Sequence, residues 1–209
     1  MRIAILTAAI ALTACQQETA DQPAAAPQQA PAAETAATVT KPARADVEGW
    51  QTDPASYAML GGTIPAFSLD RVGGGKVTQE DLRDRWTILG FWNATVAGIE
   101  DESRFIRALN SAADQDPDLD FRTVYLKLAA ADTDVAKWFA NNGGAWPTLI
   151  DTGDAVSLFS VQQTPAYLLI GPDLTIEAYR GALTTTPDDG IKSVIRGVAE
   201  IRKQVAAPG

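Results

Sequence analysis

Any chemistry in this chain has to be sought among carboxylates. Of its 209 residues none is histidine, one is cysteine, and acids outnumber bases 26 to 17. Without histidine the chain lacks the usual general base, the Ser-His and Cys-His pairs, and the commonest transition-metal ligand. Met59 is the only methionine after Met1, so the soft donors of a copper site are missing too. Two acidic groupings remain. In "DQDPDLD", Asp114, Asp116, Asp118 and Asp120 alternate as if to hold calcium. The loop lacks the glycine at position six and the glutamate at position twelve of an EF-hand, and reads as a solvated turn before a strand. Glu100, Asp101 and Glu102 are consecutive, and consecutive helical positions point in different directions. In the first turn of a helix they suit the positive end of its dipole. Gly73-Gly74-Gly75-Lys76 lacks the spacing of a phosphate-binding loop and reads as a hairpin turn. These readings predict no catalytic residue, no cofactor and no metal.

The elements that would carry these residues follow from periodicity. A short extended piece around residues 66–69 leads through the glycine turn to Lys76-Val77 and a short helix capped by Thr78. Residues 86–92 form a near-continuous apolar run of strand length, the mark of a strand covered on both faces. A helix follows, with Ile99, Ile106, Leu109 and Ala113 on one stripe and Thr95 as its expected N-cap. "DLDFRTVYLKL" is the next strand, and "DTDVAKWFANNGG" a helix with an aspartate at its start and Gly143 at its end. "TPAYLLIGPDLTIEAYRG" reads as two strands joined at Gly171-Pro172-Asp173. The last helix carries Ile191, Val194, Ile195, Val198, Ile201 and Val205 on one face. The order β-α-β-α, then β-β-α, predicts an α/β domain with a mixed central sheet and helices on both faces.

The N-terminus reads differently. Met1-Arg2 and "IAILTAAIAL" make a basic start and an apolar run too short to span a bilayer. Leu12-Thr13-Ala14-Cys15 resembles the lipobox of bacterial lipoproteins, where cleavage before the cysteine precedes acylation; the alternative is an ordinary secretory signal beside a chance cysteine. The expectation is a signal peptide at 1–14, lipidation of Cys15, and a flexible Ala/Pro/Gln-rich tether over 15–46. That segment has no aromatics and few large aliphatics, so it cannot bury enough surface to become ordered. Its reach is on the order of 30 Å. One domain, 47–209, completes the chain. By resemblance to enterobacterial sorting, Gln16 after the cysteine points to the outer rather than the inner membrane, facing the periplasm. The net charge of −9 argues against nucleic acid or an anionic membrane surface as a partner.

From Gly61 to Val205 the chain resembles the thioredoxin fold, and most closely the membrane-tethered thiol–disulfide oxidoreductases of the redoxin and thiol-specific-antioxidant superfamily. The resemblance rests on "GGTIPAFSLDRVGGGKVTQEDLRDRWTILGFW" and on "FANNGGAWPTLIDTGDAVSLFSVQQTPAYLLIGPDLTIEAYRG". It implies that Thr164-Pro165 is the family's cis-proline, facing the active site, with the backbone before it pairing to extended substrate. The family's segment is Phe-Trp-x-x-x-Cys-x-x-Cys with an acid beyond. Laid on Phe91-Trp92, it places the cysteines at Val96 and Ile99, and the acid at Glu102. A cysteine at a helix N-terminus works because the dipole stabilises its thiolate; valine and isoleucine can do none of this. Aligning Thr95 to the peroxidase motif Thr-x-x-Cys puts Gly98 at the reactive position, so that chemistry is absent as well.

What remains is binding. Val96 and Ile99, if exposed, would form an apolar patch with Trp92 and Trp146 beside Thr164 and Pro165, a groove for an envelope protein or an extended peptide. The alternative is that Ile99 only completes the buried stripe of its helix. The leading expectation is a lipid-anchored, redox-inactive thioredoxin-like protein that acts by binding. The runners-up are a thiol–disulfide oxidoreductase or peroxiredoxin-like relative borrowing a partner's thiols, and an accessory subunit docking by another face.

Overall fold

The computed structural model describes residues 47–95, 99–127, 134–142, 146–181 and 187–207. The expected signal peptide, the expected lipidation site Cys15 and the expected tether, together with Val96, Gly98 and Gly143, lie outside them. Seven strands and four helices follow in chain order: β1 Ser68–Arg71, β2 Lys76–Thr78, β3 Trp86–Trp92, α1 Ile99–Ala113, β4 Leu119–Tyr125, α2 Val135–Asn142, β5 Thr148–Ile150, α3 Ala155–Leu158, β6 Ala166–Ile170, β7 Ile176–Arg180 and α4 Pro187–Ala206. They form one mixed sheet in the order β2-β1-β5-β4-β3-β6-β7. β3, β4 and β5 run parallel, while β1, β2, β6 and β7 pair antiparallel to their neighbours. The parallel pairs need long crossovers; of the antiparallel pairs, β1–β2 and β6–β7 close as hairpins, while β1–β5 and β3–β6 join strands distant in sequence.

The two sheet faces are read off β3 by the period-two rule. Ile88 and Trp92 point into a core shared with Phe105, Ile106 and Leu109 of α1, Phe139 of α2, and Val194, Val198 and Ile201 of α4. Leu89 and Phe91 point the other way, onto Ala155 of α3, Phe159, and residues Tyr57, Ile64 and Phe67 ahead of β1. Both faces of β3 are therefore covered, as its near-continuous apolar run predicts. The glycine turn closes the β1–β2 hairpin, with Gly73, Gly74 and Gly75 all at positive φ. Thr78 starts a 3-10 turn over Gln79–Leu82, and the Asp81 carboxylate accepts both the Thr78 N–H at 2.7 Å and its hydroxyl at 2.8 Å.

A strap over residues 47–64 finishes the fold, and nothing in the sequence patterning indicated it. It seals the outer edge of β7: Gln51 and Tyr179 exchange both backbone hydrogen bonds, and Gly61 and Gly62 bond across to Ile176. An unprotected edge strand is an aggregation hazard; here the chain covers its own. Tyr57 stacks on Tyr179 with ring centroids 4.7 Å apart, and its hydroxyl donates to the Phe159 carbonyl. The Trp50 indole N–H donates to the Val194 carbonyl of α4 at 3.0 Å.

The Asn93 side-chain oxygen accepts from both the N–H and the hydroxyl of Thr95, a local turn that asparagine readily makes; the described part of α1 begins at Ile99, so the expected cap at Thr95 adjoins residues outside those described. One local expectation needs correcting. Val205 ends the stripe of α4 but is 37% exposed, because the helix outruns the sheet it packs on.

Candidate functional site

The site lies where β3 ends and α1 begins. β3 and β6 are antiparallel, with Phe91 opposite Ala166, so Thr164-Pro165 sits beside the chain as it leaves β3. The Thr164–Pro165 peptide bond is cis. Both residues are half-buried, and no backbone hydrogen bond among the described residues engages Thr164. Asn93 fixes the crossing: it is fully buried, and its side-chain amide donates to the Leu126 carbonyl at 2.7 Å.

Ile99, at one of the two positions where the resemblance expects cysteine, is half-buried and packs against the α1 side of the core. That favours the plainer of the two readings of this residue, in which it completes the buried stripe. Trp92 and Trp146 do not form an exposed patch with it. They are 1% and 4% exposed and belong to an aromatic cluster with Tyr125, Trp138 and Phe139, in which Trp92 lies 5.5 Å from Trp146 and 5.0 Å from Tyr125 between ring centroids. The Trp92 indole N–H is spent on the Thr123 hydroxyl at 3.1 Å. These rings carry the largest apolar areas in the neighbourhood, and burying them stabilises the core more than an open groove would.

Glu102 is the residue that sequence reasoning misplaced. Glu100 and Asp101 are exposed, as first-turn charges should be, but Glu102 is 4% exposed. The Tyr167 hydroxyl donates to its Oε1. Burial pushes its carboxyl from 4.5 up to about 7, while the Tyr167 hydrogen bond and the Arg180 charge pull it partly back. The phenol of Tyr167, fully buried against that carboxylate, is held well above its usual range. Desolvation lowers the Arg180 guanidinium, with the nearby acid and phenol opposing. Tyr167 and Arg180 are direct cross-strand partners on the same face as α1, which is how three residues far apart in sequence converge. The only signal available beforehand was the resemblance, which puts an acid at this position.

The aspartates of "DQDPDLD" are spent in the way a solvated turn would spend them. Asp116 pairs with Arg202 at 2.6 Å and Asp120 with Arg122 at 2.7 Å. Among the described residues no cluster of three metal-ligating side chains occurs. With one cysteine in the chain and none at this site, the arrangement cannot exchange disulfides. It can hold a proton near neutrality at Glu102.

No family model and no curated protein matches this sequence. Solved structures do. A Chlorobium tepidum protein named as a thiol:disulfide interchange protein of the DsbE type superposes with a TM-score of 0.57 at 18% identity, over 68% of this chain and 97% of its own. The exposed lipoprotein thioredoxin of Streptococcus pneumoniae gives 0.54 at 16% identity, over 65% and 98%. A thiol-disulfide oxidoreductase from Bacteroides fragilis gives 0.51 at 18%, over 64% and 98%. The fold is thioredoxin-like: a single α/β domain with a mixed seven-stranded sheet. It is shared with structures of thiol–disulfide oxidoreductases, and this chain carries it without a cysteine pair.

Proposed function

We propose that this is a lipid-anchored bacterial envelope protein whose thioredoxin-like domain has no redox activity and binds an extended segment of another envelope protein. The observation that carries the reading is the cis Thr164–Pro165 peptide beside the β3–α1 crossing, kept in a chain that has no cysteine there. The backbone of Thr164 supplies the main-chain hydrogen bonds of β-strand addition, and the apolar positions Val96 and Ile99 would lie next to it. Trp92 and Trp146 act from behind, as packing that holds the crossing in place. The lipobox-like Leu12-Thr13-Ala14-Cys15 and the likeness to an exposed lipoprotein thioredoxin support anchoring at Cys15 and a periplasmic location, on the outer membrane by the residue after the cysteine. No nucleic acid, metal or cofactor enters this reading.

The test is affinity capture from detergent-solubilised envelopes, comparing the wild-type chain with Val96→Asp. Ile99→Asp is a poor probe, because Ile99 packs against the core and a buried charge there would unfold the domain. Circular dichroism and a melting curve establish that Val96→Asp folds. A partner held by wild type and lost from the folded variant supports the groove. A partner kept by both, or none found with wild type, sinks it.

A further inference from the structure

The buried acid does not end at Tyr167. Arg180, the cross-strand partner of Tyr167, donates from Nη1 to the Gly49 carbonyl at 2.6 Å, and its guanidinium lies 5.8 Å from the centre of the Phe105 ring. Gly49 belongs to the strap, at the point where the chain arrives from the tether. A continuous run of contacts therefore leads from the first turn of α1, at the candidate site, to the segment that joins the domain to its N-terminal leader.

The packing around this run is built for it. Gly90 on β3 leaves room for the Tyr167 ring: a Cβ there would lie 2.8 Å from Tyr167 Cε1. Gly49 has φ of +82°, and a Cβ on it would meet the Ser193 hydroxyl oxygen at 2.8 Å. Gly197, inside α4, would clash at 2.5 Å with both the Glu48 carbonyl and Trp50. Glycine is a poor residue for a helix interior. The strap's close seat on α4 is what this glycine makes room for.

One polar atom in the run is unsatisfied. Arg180 Nε is buried and has no hydrogen-bond partner, and no salt bridge among the described residues joins Arg180 to Glu102. We propose that Glu102, Tyr167 and Arg180 form a proton-operated latch on the strap: ionisation of Glu102 draws Arg180 toward α1, off the Gly49 carbonyl, and loosens residues 47–51 from β7 and α4. A buried carboxylate without a cation is costly, and Arg180 Nε is a buried donor without a partner. It lies out of hydrogen-bond reach of Glu102, so the pair forms only if the guanidinium moves, and the bond to Gly49 is what holds it.

The groups facing Glu102 are few. β6 presents Tyr167 and β7 presents Arg180; β3 presents Gly90, without a side chain. On α1, Arg104 is exposed and engaged by Asp101 at 3.0 Å. The polar residue buried on α4 is Ser193, whose hydroxyl donates to the Gly190 carbonyl. On the strap, Glu48 is exposed and paired with Arg196 at 2.9 Å. The latch is independent of whether the groove binds anything.

Amide hydrogen exchange on the full chain tests it. The reporters are the Gln51 amide, bonded to Tyr179, and the Trp50 indole, bonded to Val194. Protection corrected for intrinsic exchange should fall about tenfold between about pH 5.5 and about pH 8.5, the loss of one charge-assisted hydrogen bond. Glu102→Gln should hold the high-protection state throughout. Tyr167→Phe removes a donor that favours the ionised carboxylate, so it should move the midpoint to higher pH, and it decides the matter if Glu102→Gln does not fold. Protection that is flat or rising with pH in wild type, or a Tyr167→Phe midpoint that stays where it was, would overturn the latch.

Discussion

Gly90 on β3 and Tyr167 on β6 stand directly opposite each other in the sheet, and a single carbon on Gly90 would come within 2.8 Å of the Tyr167 ring. The glycine is there for its missing side chain rather than its conformational freedom. It lets the ring cross the strand to reach Glu102. Gly90→Ala should displace that ring in a core with no slack, at a cost of roughly 1–3 kcal/mol. A denaturant titration measures the loss, and the Glu102 carboxyl followed by NMR should titrate at higher pH once the tyrosine donor is displaced.

Glu102 should also make stability depend on pH in an unusual direction. Its pKa rises from 4.5 unfolded to about 7 folded, so the folded state holds a proton that the unfolded state has released between those values. Stability linked to this group is full below about pH 4.5, falls as pH rises towards 7, and is flat above. At about 1.4 kcal/mol per pH unit the whole change is on the order of 3 kcal/mol. Urea melts from about pH 4.5 to about pH 8 should show the decline in wild type. Glu102→Gln, which carries no titrating proton, should lack this component. An identical decline in the variant would place the linked proton elsewhere.

These two residues also mark where the sequence was legible. β3 was visible because a near-continuous apolar run of strand length fits one explanation, and the hairpins were visible because glycine and proline punctuate them. β5 was missed as a strand by periodicity: it has three residues and exists only by pairing with β4 and β1. Glu102 looked like Glu100 and Asp101, because burial at the third position depends on Tyr167 and Arg180, which only the sheet brings near. Trp92 and Trp146 carried no sign in their own neighbourhoods of whether they faced a groove or a core. The strap has no amphipathic period, and its anchors are single side chains reaching other elements.

Gly197 gives a prediction that runs against helix propensity. In an exposed helix interior, Gly→Ala stabilises by about 1 kcal/mol. Here the new methyl would press on the Glu48 carbonyl and on Trp50, both 2.5 Å away, and the first of these is backbone that cannot swing aside. Gly197→Ala should therefore lower the melting temperature by several degrees, as a net loss of about 1 kcal/mol does in a domain of this size. Exchange at the Gln51 amide should quicken with it. A rise in melting temperature would mean that the strap yields easily and adds little to stability.

Placing thiols at the two positions where the resemblance expects them asks whether this fold can support disulfide chemistry. If the site differs from an oxidoreductase only at two positions, Val96→Cys/Ile99→Cys should confer the chemistry. Two cysteines spaced C-x-x-C at the start of α1 would have one thiolate favoured by the helix dipole, below the usual thiol value of about 8.5. The buried Glu102 carboxyl, three residues after position 99, would act on it when ionised, raising the thiol again as pH passes about 7. The double variant, prepared with Cys15→Ser so that no other thiol is present, should form a reversible intramolecular disulfide and reduce a model disulfide substrate. Alkylation rates against pH would report the thiolate, and adding Glu102→Gln should make that profile simpler. Thiols that stay unreactive in a folded variant would show that the crossing lacks the geometry this chemistry needs, and that cysteines at these two positions are not sufficient for it.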